Sequence, residues 1–534
     1  MARILVVEPV AQAGIELLAA AHDTEVRQGL GRDDVLGLLA EGGGWDALIV
    51  RSQTRVDAEL LSAAAPRLSV VGVASVGIDR IDVEAATRAG VMIVNAPTGN
   101  TIAAAEHTMA LMLALLRQVP AADASMRNGH WDRTRYTGRE LRGKTLGVIG
   151  LGKIGKAVAR RATGFEMRVI ASDPYLTEEQ ASEAGAKLVG LAELLHRSDV
   201  ITVHTPLAAG TRGLLGRPQL DAMKPGGFVL NVARGGIVDE AALAGALTSG
   251  HLAGAAVDVF STEPMAADNP LREAPNLVLT PHLGASTAEA QDRVGMEMAE
   301  QVLMALVGVT PPYAVNAPSV APEIGPRLRP YVELGRRLAI LARQLAPGAF
   351  DAVSLTYAGE IAAGECAPIR SAAIAGILEA VTDQRVNAVN ADLVARERGL
   401  TVRETRTPSS EPWASLVEVA VGPADGEPTL TLAGSTAHGR PHLAGLDGFA
   451  IDAELAGLML VTRHHDRPGI VGAVGTILAE SGINISSLEL SRLSERGEAM
   501  MFVSVDDPLE GGVLERIRAA DGIIEARVVE LPER

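Results

Sequence analysis

The sequence predicts an α/β protein: two doubly wound parallel-sheet domains, followed by an α+β domain and a compact C-terminal unit. Short apolar runs alternate with helical patterns through the first 310 residues, as expected for parallel strands joined by crossover helices. Aromatic residues make up only 3% of the chain, so the cores must be aliphatic, as in buried parallel sheets. A proline-rich stretch then separates this half from the remainder.

Short apolar runs bounded by polar or glycine residues mark the strands of the first half. The predicted strands cover residues 4–7, 47–50, 69–73, 91–94, 145–149, 168–171, 200–203, 228–232, 254–257 and 277–279. Apolar residues at three-and-four spacing predict helices such as 104–118 and 154–163. The strands fall into two sets divided near residues 95–100, and the predicted helix at 291–307 returns the chain to the first set.

The second half begins with prolines typical of a linker. They are Pro311, Pro312, Pro318, Pro322, Pro326 and Pro330. Beyond them, over roughly 328–453, the pattern is mixed, with strands predicted at 352–357 and 429–432. Near Leu458 the chain restarts with a compact unit that runs to the C-terminus.

Charge and cysteine usage exclude several function classes. The formal net charge of −17 repels nucleic acid and anionic membranes, so an anionic substrate needs a local cluster of arginines. The single cysteine, Cys366, excludes an intramolecular disulfide and a multi-cysteine zinc site, and we expect no metal. The N-terminus lacks the design of a signal peptide. The most apolar helix candidate, residues 108–116, is far shorter than the ~20 residues that span a bilayer, so we expect a cytoplasmic protein.

A glycine motif indicates a dinucleotide site. Gly150, Gly152 and Gly155 form G-x-G-x-x-G where a predicted strand turns into a predicted helix. The first glycine permits the turn, the second lets the backbone approach a pyrophosphate, and the third lets helix and strand pack closely. The next strand ends in Asp173, which can accept hydrogen bonds from ribose hydroxyls and repels a 2′-phosphate. The motif therefore favours NAD over NADP.

Three residues at successive strand ends suit the oxidation of an alcohol by hydride transfer. His282 has the pKa range of an acid/base at neutral pH, and Glu263 can orient the ring and favour the imidazolium. Arg234 offers a planar fork to a substrate carboxylate. Each residue alone is often structural. Their joint placement at the carboxyl ends of strands, where open α/β sheets bind ligands, favours a catalytic set.

These segments resemble the D-isomer-specific 2-hydroxyacid dehydrogenases over residues 1 to about 315. The matching segments are 76–79, 95–101, 105–108, 150–155, Asp173, 204–207, 231–239, 258–264 and 281–287. The resemblance implies that Arg234, Glu263 and His282 are catalytic and that Asp258 faces the nicotinamide amide. It further implies that the cofactor is lined by Lys153, Ile154, Thr205, Pro206, Ala233 and Gly284. We interpret His107 and Glu106 as packing and hinge residues.

The predicted substrate site lies in the N-terminal domain. Arg51 follows a strand and would face the cleft, and with Asn100 and the backbone at Val76 and Gly77 it matches substrate-binding positions of phosphoglycerate dehydrogenases. Arg133 and Arg135 could approach a phosphate or be solvated. A second anionic anchor separates 3-phosphoglycerate from lactate or glycerate.

The C-terminal unit resembles an ACT domain, a small βαββαβ unit, with Pro468 and Gly469 at a strand-to-helix turn. By resemblance, His464, Asp466 and Asn484 would hold an amino-acid effector. A dehydrogenase followed by an intervening domain and this unit resembles the long form of the phosphoglycerate dehydrogenases. The resemblance implies L-serine as feedback effector and a homo-oligomer, dimeric or tetrameric.

The implied domains are a substrate-binding domain (1–97 and 286–315), a Rossmann NAD-binding domain (98–285), an intervening domain (317–453) and an ACT domain (456–534). The implied reaction converts 3-phosphoglycerate to 3-phosphohydroxypyruvate, the first step of L-serine biosynthesis. Two alternatives stay open: a dehydrogenase for glyoxylate, glycerate or another 2-oxo acid, and a non-catalytic NAD-sensing scaffold. The scaffold would tolerate loss of Glu263 or His282, and both are present.

Overall fold

A computed structural model describes residues 1–41, 43–318, 324–382 and 385–533. Its strands form four sheets, of five, seven, six and four strands along the chain, here called the first to fourth sheets. The α/β class, the Rossmann-like domain, the mixed intervening domain and the ACT-type unit predicted from the sequence are confirmed. The exact domain bounds stay a prediction.

The first sheet is parallel and has the order β2-β1-β3-β4-β5. Its elements are β1 (Arg3–Val6), α1 (Gln12–Ala21), β2 (Asp23–Val26), α2 (Arg32–Ala40), β3 (Ala47–Val50), α3 (Ala58–Ala63), β4 (Val70–Val73), α4 (Val83–Arg88) and β5 (Met92–Asn95). Alternate strand residues such as Ile4 and Leu5 enter different core clusters, so both faces of the sheet are buried. This explains why the strands read as continuous apolar runs.

The second sheet is also parallel, in the order β12-β11-β10-β9-β6-β7-β8. Its elements are α5 (Thr101–Leu116), α6 (Val119–Arg127), β6 (Thr145–Ile149), α7 (Lys153–Gly164), β7 (Arg168–Ser172), α8 (Glu178–Ser182), β8 (Lys187–Leu188), α9 (Leu191–Arg197), β9 (Val200–Val203), α10 (Arg217–Asp221), β10 (Gly227–Asn231), α11 (Glu240–Thr248), β11 (Leu252–Val257), a 3-10 turn (Pro270–Arg272) and β12 (Leu277–Leu279).

Helix α12 (Ala288–Leu306) then returns the chain to the first sheet, as predicted. Its Met298, Ala299 and Val302 pack among strand residues of that sheet. A Cβ on Gly14 of α1 would meet the Gly295 carbonyl oxygen at 2.6 Å, so these two glycines let the helices touch backbone to backbone.

The third sheet is mixed, in the order β14-β13-β15-β16-β17-β18, with β13 and β14 parallel and the other pairs antiparallel. Its elements are α13 (Gly325–Leu345), β13 (Ala352–Gly359), a 3-10 turn (Glu360–Ala363), α14 (Ala367–Leu378), α15 (Ala391–Glu397), β14 (Thr401–Thr407), β15 (Ser415–Gly422), β16 (Leu430–Ala437), β17 (Arg440–Leu446) and β18 (Phe449–Glu454).

The fourth sheet has the ACT order β20-β21-β19-β22. Its elements are β19 (Gly457–His465), α16 (Ile470–Glu480), β20 (Ile485–Arg492), β21 (Glu498–Val505), α17 (Val513–Arg518) and β22 (Ile523–Leu531). Met459, Phe502 and Val529 of this sheet share one core cluster with Leu334 and Leu338 of α13. The third and fourth sheets therefore share a hydrophobic core through α13, which the sequence did not predict.

Every predicted strand of the first half occurs within two residues of its predicted bounds. The prediction missed β2 and β8, which are edge strands with few apolar residues to mark them. It also placed Pro326 and Pro330 in a linker, which is wrong, because α13 begins at Gly325 and contains both. An interior proline costs a helix about 3 kcal/mol, and burial of the apolar stripe of α13 offsets that cost. Pro322 lies outside the described residues.

Within the described ranges, no helix combines the length and the apolar composition that crossing a bilayer requires.

Candidate active site

A cleft of about 1000 Å³ opens between the first and second sheets. The first sheet contributes Arg51 and the turn at residues 74–81, and the second contributes Arg234, Glu263 and His282. Because the strands of each sheet are parallel, loops that follow different strands meet at one edge. Arg234 follows β10, Glu263 follows β11 and His282 follows β12. The three residues predicted as the catalytic set are thus brought together at one cleft.

His282 and Glu263 form a hydrogen-bonded pair. The His282 Nδ1 atom lies 2.8 Å from Glu263 Oε2, and the Phe260 amide donates to Glu263 Oε1 at 3.0 Å. Since a carboxylate is only an acceptor, Nδ1 carries the proton and Nε2 of the neutral ring has a free lone pair. His282 is 45% exposed and lines the cleft, so this lone pair is open to a ligand.

The pair shifts both pKa values in opposite directions. The hydrogen bond that His282 donates to Glu263 raises the pKa of His282 above its ordinary value, against the opposing effect of burial. Burial raises the pKa of Glu263, but the hydrogen bonds from His282 and the Phe260 amide outweigh it and leave the pKa lowered. Glu263 therefore stays ionised while His282 titrates, which suits reversible proton transfer.

Arg234 spans the cleft to the first sheet. Its Nε donates to Asp79 Oδ2 at 3.2 Å, and its Nη1 donates to the Ala233 carbonyl at 2.8 Å. A Cβ on Gly77 would collide with the guanidinium, so a larger residue there would displace Arg234 from this position. The two hydrogen bonds fix the plane of the guanidinium and leave Nη2 available to an anion.

The cleft has the arginine cluster that an anionic substrate needs. Arg51, Arg80, Arg234 and Arg272 line it, against the acids Asp79 and Glu263. Among the described residues, Arg51 forms no ion pair with an acid. The cleft is therefore locally cationic, in a chain whose overall charge is −17.

Unpaired polar groups of the first domain also face this cleft. Within the described ranges, no acceptor pairs with the amides of Val76 and Gly77, and the buried Asn100 Oδ1 has no hydrogen-bond donor. Such groups are costly unless a ligand or water satisfies them. Arg51, Val76, Gly77 and Asn100 thus converge as predicted. Arg133 does not join them, because it lies on an exposed loop outside the cleft lining.

The glycine loop has the geometry of a pyrophosphate cradle. Gly150 has φ +86° and its Cβ would meet the His204 carbonyl oxygen at 2.7 Å, and a Cβ on Gly155 would collide with the Gly150 carbonyl. At Gly152 a Cβ would meet none of the described atoms within 4 Å, so this backbone faces open space. Helix α7 begins at Lys153, directly after this position, and its N-cap residue Gly152 makes no side-chain hydrogen bond. The free amides at a helix N-terminus are suited to bind a phosphate.

The neighbouring groups also fit a dinucleotide. The Asp173 carboxylate accepts from the Leu151 amide at 2.9 Å, which places it beside the glycine loop. Next to Gly150, the buried Thr205 Oγ1 and His204 Nδ1 have no partner in the described residues. Burial lowers the pKa of His204 to about 4, so its ring is neutral near pH 7. These groups lie at the carboxyl ends of β6 and β9, where they can bind a ligand.

The other predicted cofactor residues lie around the same sheet edge. Lys153 Nζ sits 5.2 Å from the centre of the Tyr313 ring, Ile154 packs against the core beneath α7, and Pro206 and Ala233 follow β9 and β10. Asp258 differs from expectation, because its side chain is buried. Its carboxylate accepts from the Leu283 amide at 2.8 Å and the Gly284 amide at 2.9 Å, so it supports the loop of His282.

The predicted effector residues do not form one site within one chain. His464 is buried and bonded to Thr462, and Asp466 pairs with Arg492 at 2.9 Å. Arg492 and His464 both stand opposite Ala499, whereas Ile485, next to Asn484, stands opposite Val505. Asn484 and Asp466 are therefore at opposite ends of the fourth sheet, roughly 25 Å apart at 3.3 Å per residue.

Sequence reasoning missed several residues that shape the cleft. Asp79 was part of a recognised motif but had no role, and Arg80 and Arg272 were not singled out. Glu8 was also missed: its carboxylate accepts from the amides of Ser52, Gln53 and Thr54 and so holds the loop that carries Arg51. An acid directly after the apolar run of β1 was the available signal.

Family comparisons divide the chain in the same way. Residues 109–284 match the NAD-binding domain of D-isomer specific 2-hydroxyacid dehydrogenases. Residues 327–444 match the D-3-phosphoglycerate dehydrogenase intervening domain, and residues 458–522 match the ACT domain.

Individual relatives agree. A D-3-phosphoglycerate dehydrogenase from Archaeoglobus fulgidus is 41% identical over 99% of this chain and 100% of its own length. The first two domains resemble the solved structure of a glyoxylate reductase from Paecilomyes thermophila, with TM-score 0.55 and 32% identity over 59% of this chain and 98% of that one. They also resemble an NAD-dependent formate dehydrogenase from Staphylococcus aureus in complex with NAD, with TM-score 0.51 and 29% identity over 57% of this chain and 95% of that one.

Proposed function

Because the chain belongs to the D-3-phosphoglycerate dehydrogenase family of NAD-dependent oxidoreductases, we propose that it oxidises 3-phosphoglycerate to 3-phosphohydroxypyruvate. The observation that carries the proposal is the His282–Glu263 pair, held at 2.8 Å in a cleft lined by arginines. The product is a precursor of serine. Bound NAD supplies the hydride acceptor, and the protein residues supply the rest.

His282 removes the proton of the substrate hydroxyl. Its Nδ1–H is committed to Glu263, so Nε2 takes the C2 hydroxyl proton as that carbon gives up its hydride and becomes a carbonyl. The resulting imidazolium is stabilised by the adjacent Glu263 carboxylate. In the reverse direction the imidazolium returns the proton to the carbonyl oxygen.

Arg234 and the turn at Val76–Gly77 bind the substrate carboxylate. The guanidinium lies against Gly77, so its free Nη2 and the unpaired amides of Val76 and Gly77 can share one anion. Asn100 Oδ1 is an acceptor for a hydroxyl hydrogen. Together these groups would hold the C2 centre within reach of His282 Nε2.

The arginines that can bind the phosphate group would favour 3-phosphoglycerate over smaller hydroxy acids. Arg51 lies on the first-sheet side of the cleft, and Arg80 and Arg272 line the same cleft. An arginine without an acidic partner pairs well with a phosphate dianion. A dehydrogenase for glyoxylate or glycerate has no use for this second anionic anchor.

Removing Arg51 should separate these substrates. We expect Arg51→Ala to raise the KM for 3-phosphoglycerate about 10- to 100-fold, because it loses charge-assisted hydrogen bonds. The kcat/KM for D-glycerate, which has no phosphate, should change less than about threefold. NADH formation with both substrates measures this, and Arg55→Ala, an exposed arginine of the same loop, is the matched control. A wild type that oxidises glycerate or reduces glyoxylate better than it handles the phosphate ester would favour the alternative.

L-serine is proposed as the feedback effector of the ACT domain. Asp466 and Asn484 are too far apart in one chain to hold one amino acid, so the site requires Asn484 of the partner subunit. β20 is an edge strand, and antiparallel pairing through it in a homo-oligomer would bring the two ends together. The core shared with α13 then connects this site mechanically to the intervening domain.

Replacing Asn484 tests the effector proposal. We expect Asn484→Ala to raise the serine concentration for half-inhibition about tenfold, the effect of one lost hydrogen bond, with unchanged activity in the absence of serine. The full-length oligomer is assayed, with Asn128→Ala as a control at an exposed asparagine far from the fourth sheet. Unaltered serine inhibition in Asn484→Ala would place the effector elsewhere.

A further inference from the structure

A histidine outside the predicted catalytic set contacts the loop that carries His282. His107 projects from α5, and its Nε2 atom lies 3.2 Å from both Asp258 Oδ1 and Thr280 Oγ1. Its side chain is only 19% exposed. From the sequence it was interpreted as a packing or hinge residue, which does not account for two hydrogen bonds to polar partners.

The surrounding hydrogen bonds decide which ring nitrogen carries the proton. Thr280 Oγ1 donates its single hydrogen to Asp258 Oδ1 at 2.5 Å, so it offers only lone pairs to His107. The Asp258 carboxylate is an acceptor, and the hydrogen bonds from His107 and Thr280 counter the effect of burial and keep its pKa low. His107 Nε2 must therefore be the donor to both oxygens.

The acid/base loop, residues 280–284, rests on the same aspartate. The His282 amide donates to the Asp258 carbonyl at 2.8 Å, and the amides of Leu283 and Gly284 donate to the carboxylate. His282 has φ +56°, a left-handed conformation that is unfavourable for a residue other than glycine. It persists only where the surroundings fix the backbone. Asp258 is what fixes it here.

We propose that His107 is a positioning residue for the reaction: by donating from Nε2 to Asp258 and Thr280, it holds the acid/base loop in the left-handed conformation that presents the His282 imidazole to the cleft. Helix α5 starts next to Asn100, which lines the cleft. His107 therefore ties the substrate side of the cleft to the acid/base loop. The inference rests on the proposed function for the role of His282.

Two substitutions separate donation from packing. Glutamine can place its amide nitrogen near the position of Nε2, whereas leucine fills a similar volume without a donor. We expect His107→Leu to lower kcat at least about tenfold, with the KM for the hydroxy acid within about threefold, because a displaced acid/base affects the transition state more than binding. His107→Gln should keep kcat within about threefold of wild type. Glu106→Gln, the adjacent residue on α5, is the control.

A spectroscopic measurement tests the same point without turnover. The downfield Nδ1–H proton resonance of the His282–Glu263 hydrogen bond, assigned by its loss in His282→Ala, should persist in His107→Gln and broaden or vanish in His107→Leu. Thr280→Val removes the other partner of the network, and its effects should match those of His107→Leu. It can therefore replace His107→Leu in the test if the leucine variant fails to fold. Equal impairment of the glutamine and leucine variants, or an unchanged resonance and kcat in the leucine variant, would overturn the proposal. A wild type inactive on 3-phosphoglycerate that keeps this resonance pattern would instead refute the substrate assignment.

Discussion

Substitution of His282 by alanine is expected to lower kcat for NADH formation about 10²- to 10⁴-fold, the range contributed by a positioned general base. His282 is the group in the cleft with a free imidazole nitrogen held by a carboxylate 2.8 Å away. Binding of NADH should be nearly unchanged, because the glycine loop and Asp173 lie at other strand ends. Steady-state kinetics and fluorescence titration with NADH measure the two effects.

The pH profile identifies the same residue. His282 acts as a base only when deprotonated, so kcat/KM for oxidation should rise with pH through the raised pKa of His282. Glu263→Gln removes the carboxylate that raises this pKa, and the rising limb should move to lower pH. The reductive reaction needs the imidazolium and should show the opposite limb, falling as pH rises through the same pKa.

The control for His282→Ala is His196→Ala. His196 is an exposed histidine on α9, and its substitution should leave kcat unchanged. Full turnover in His282→Ala, or a pH limb that ignores Glu263→Gln, would require another acid/base.

Arg234→Lys should lower kcat/KM nearly as much as deletion of the Arg234 side chain does. Lysine keeps the charge but cannot hold Asp79, the Ala233 carbonyl and a carboxylate at once with fixed geometry. Loss of two charge-assisted hydrogen bonds, each worth about 1.5–3 kcal/mol, should lower kcat/KM for 3-phosphoglycerate about 100-fold or more. The comparison is made by initial rates at subsaturating substrate.

Arg217→Lys is the matched control, because Arg217 pairs with Asp221 on the surface of α10 and should tolerate lysine. If Arg234→Lys kept kcat/KM within about threefold of wild type, a point charge would suffice and the need for a guanidinium held in a fixed plane would be refuted.

Much of the site followed from the sequence because its chemistry sits at predictable places. Each candidate catalytic residue directly follows an apolar run that had to be a buried parallel strand, and parallel strands end at a common edge. The glycine spacing likewise indicated the cofactor loop, since only glycine tolerates φ +86° against the His204 carbonyl. Their convergence was therefore predictable, although their residue roles stay predictions.

Other features could not be predicted, because they depend on contacts between distant segments. Asp79 meets Arg234 across 155 positions, and His107 meets Asp258 across 151. Neither spacing leaves a periodic signal. Pro330 looks like linker punctuation until the core shared by α13 and the fourth sheet outweighs its local cost. The resemblance implied that Asp466 and Asn484 belong to one effector site, but the strand register places them at opposite ends of the fourth sheet.

By itself, the sequence determined the α/β class, the sites of the buried strands and the residues available for hydride chemistry, because burial and turn chemistry are written locally in side-chain type and spacing. Only the tertiary structure decided which nitrogen of His282 is free and which residues hold its loop. It also decided that arginines gather in one cleft of a chain whose net charge is negative. Those properties arise from directional contacts at 3 Å or so, and such contacts exist only once the two sheets face each other.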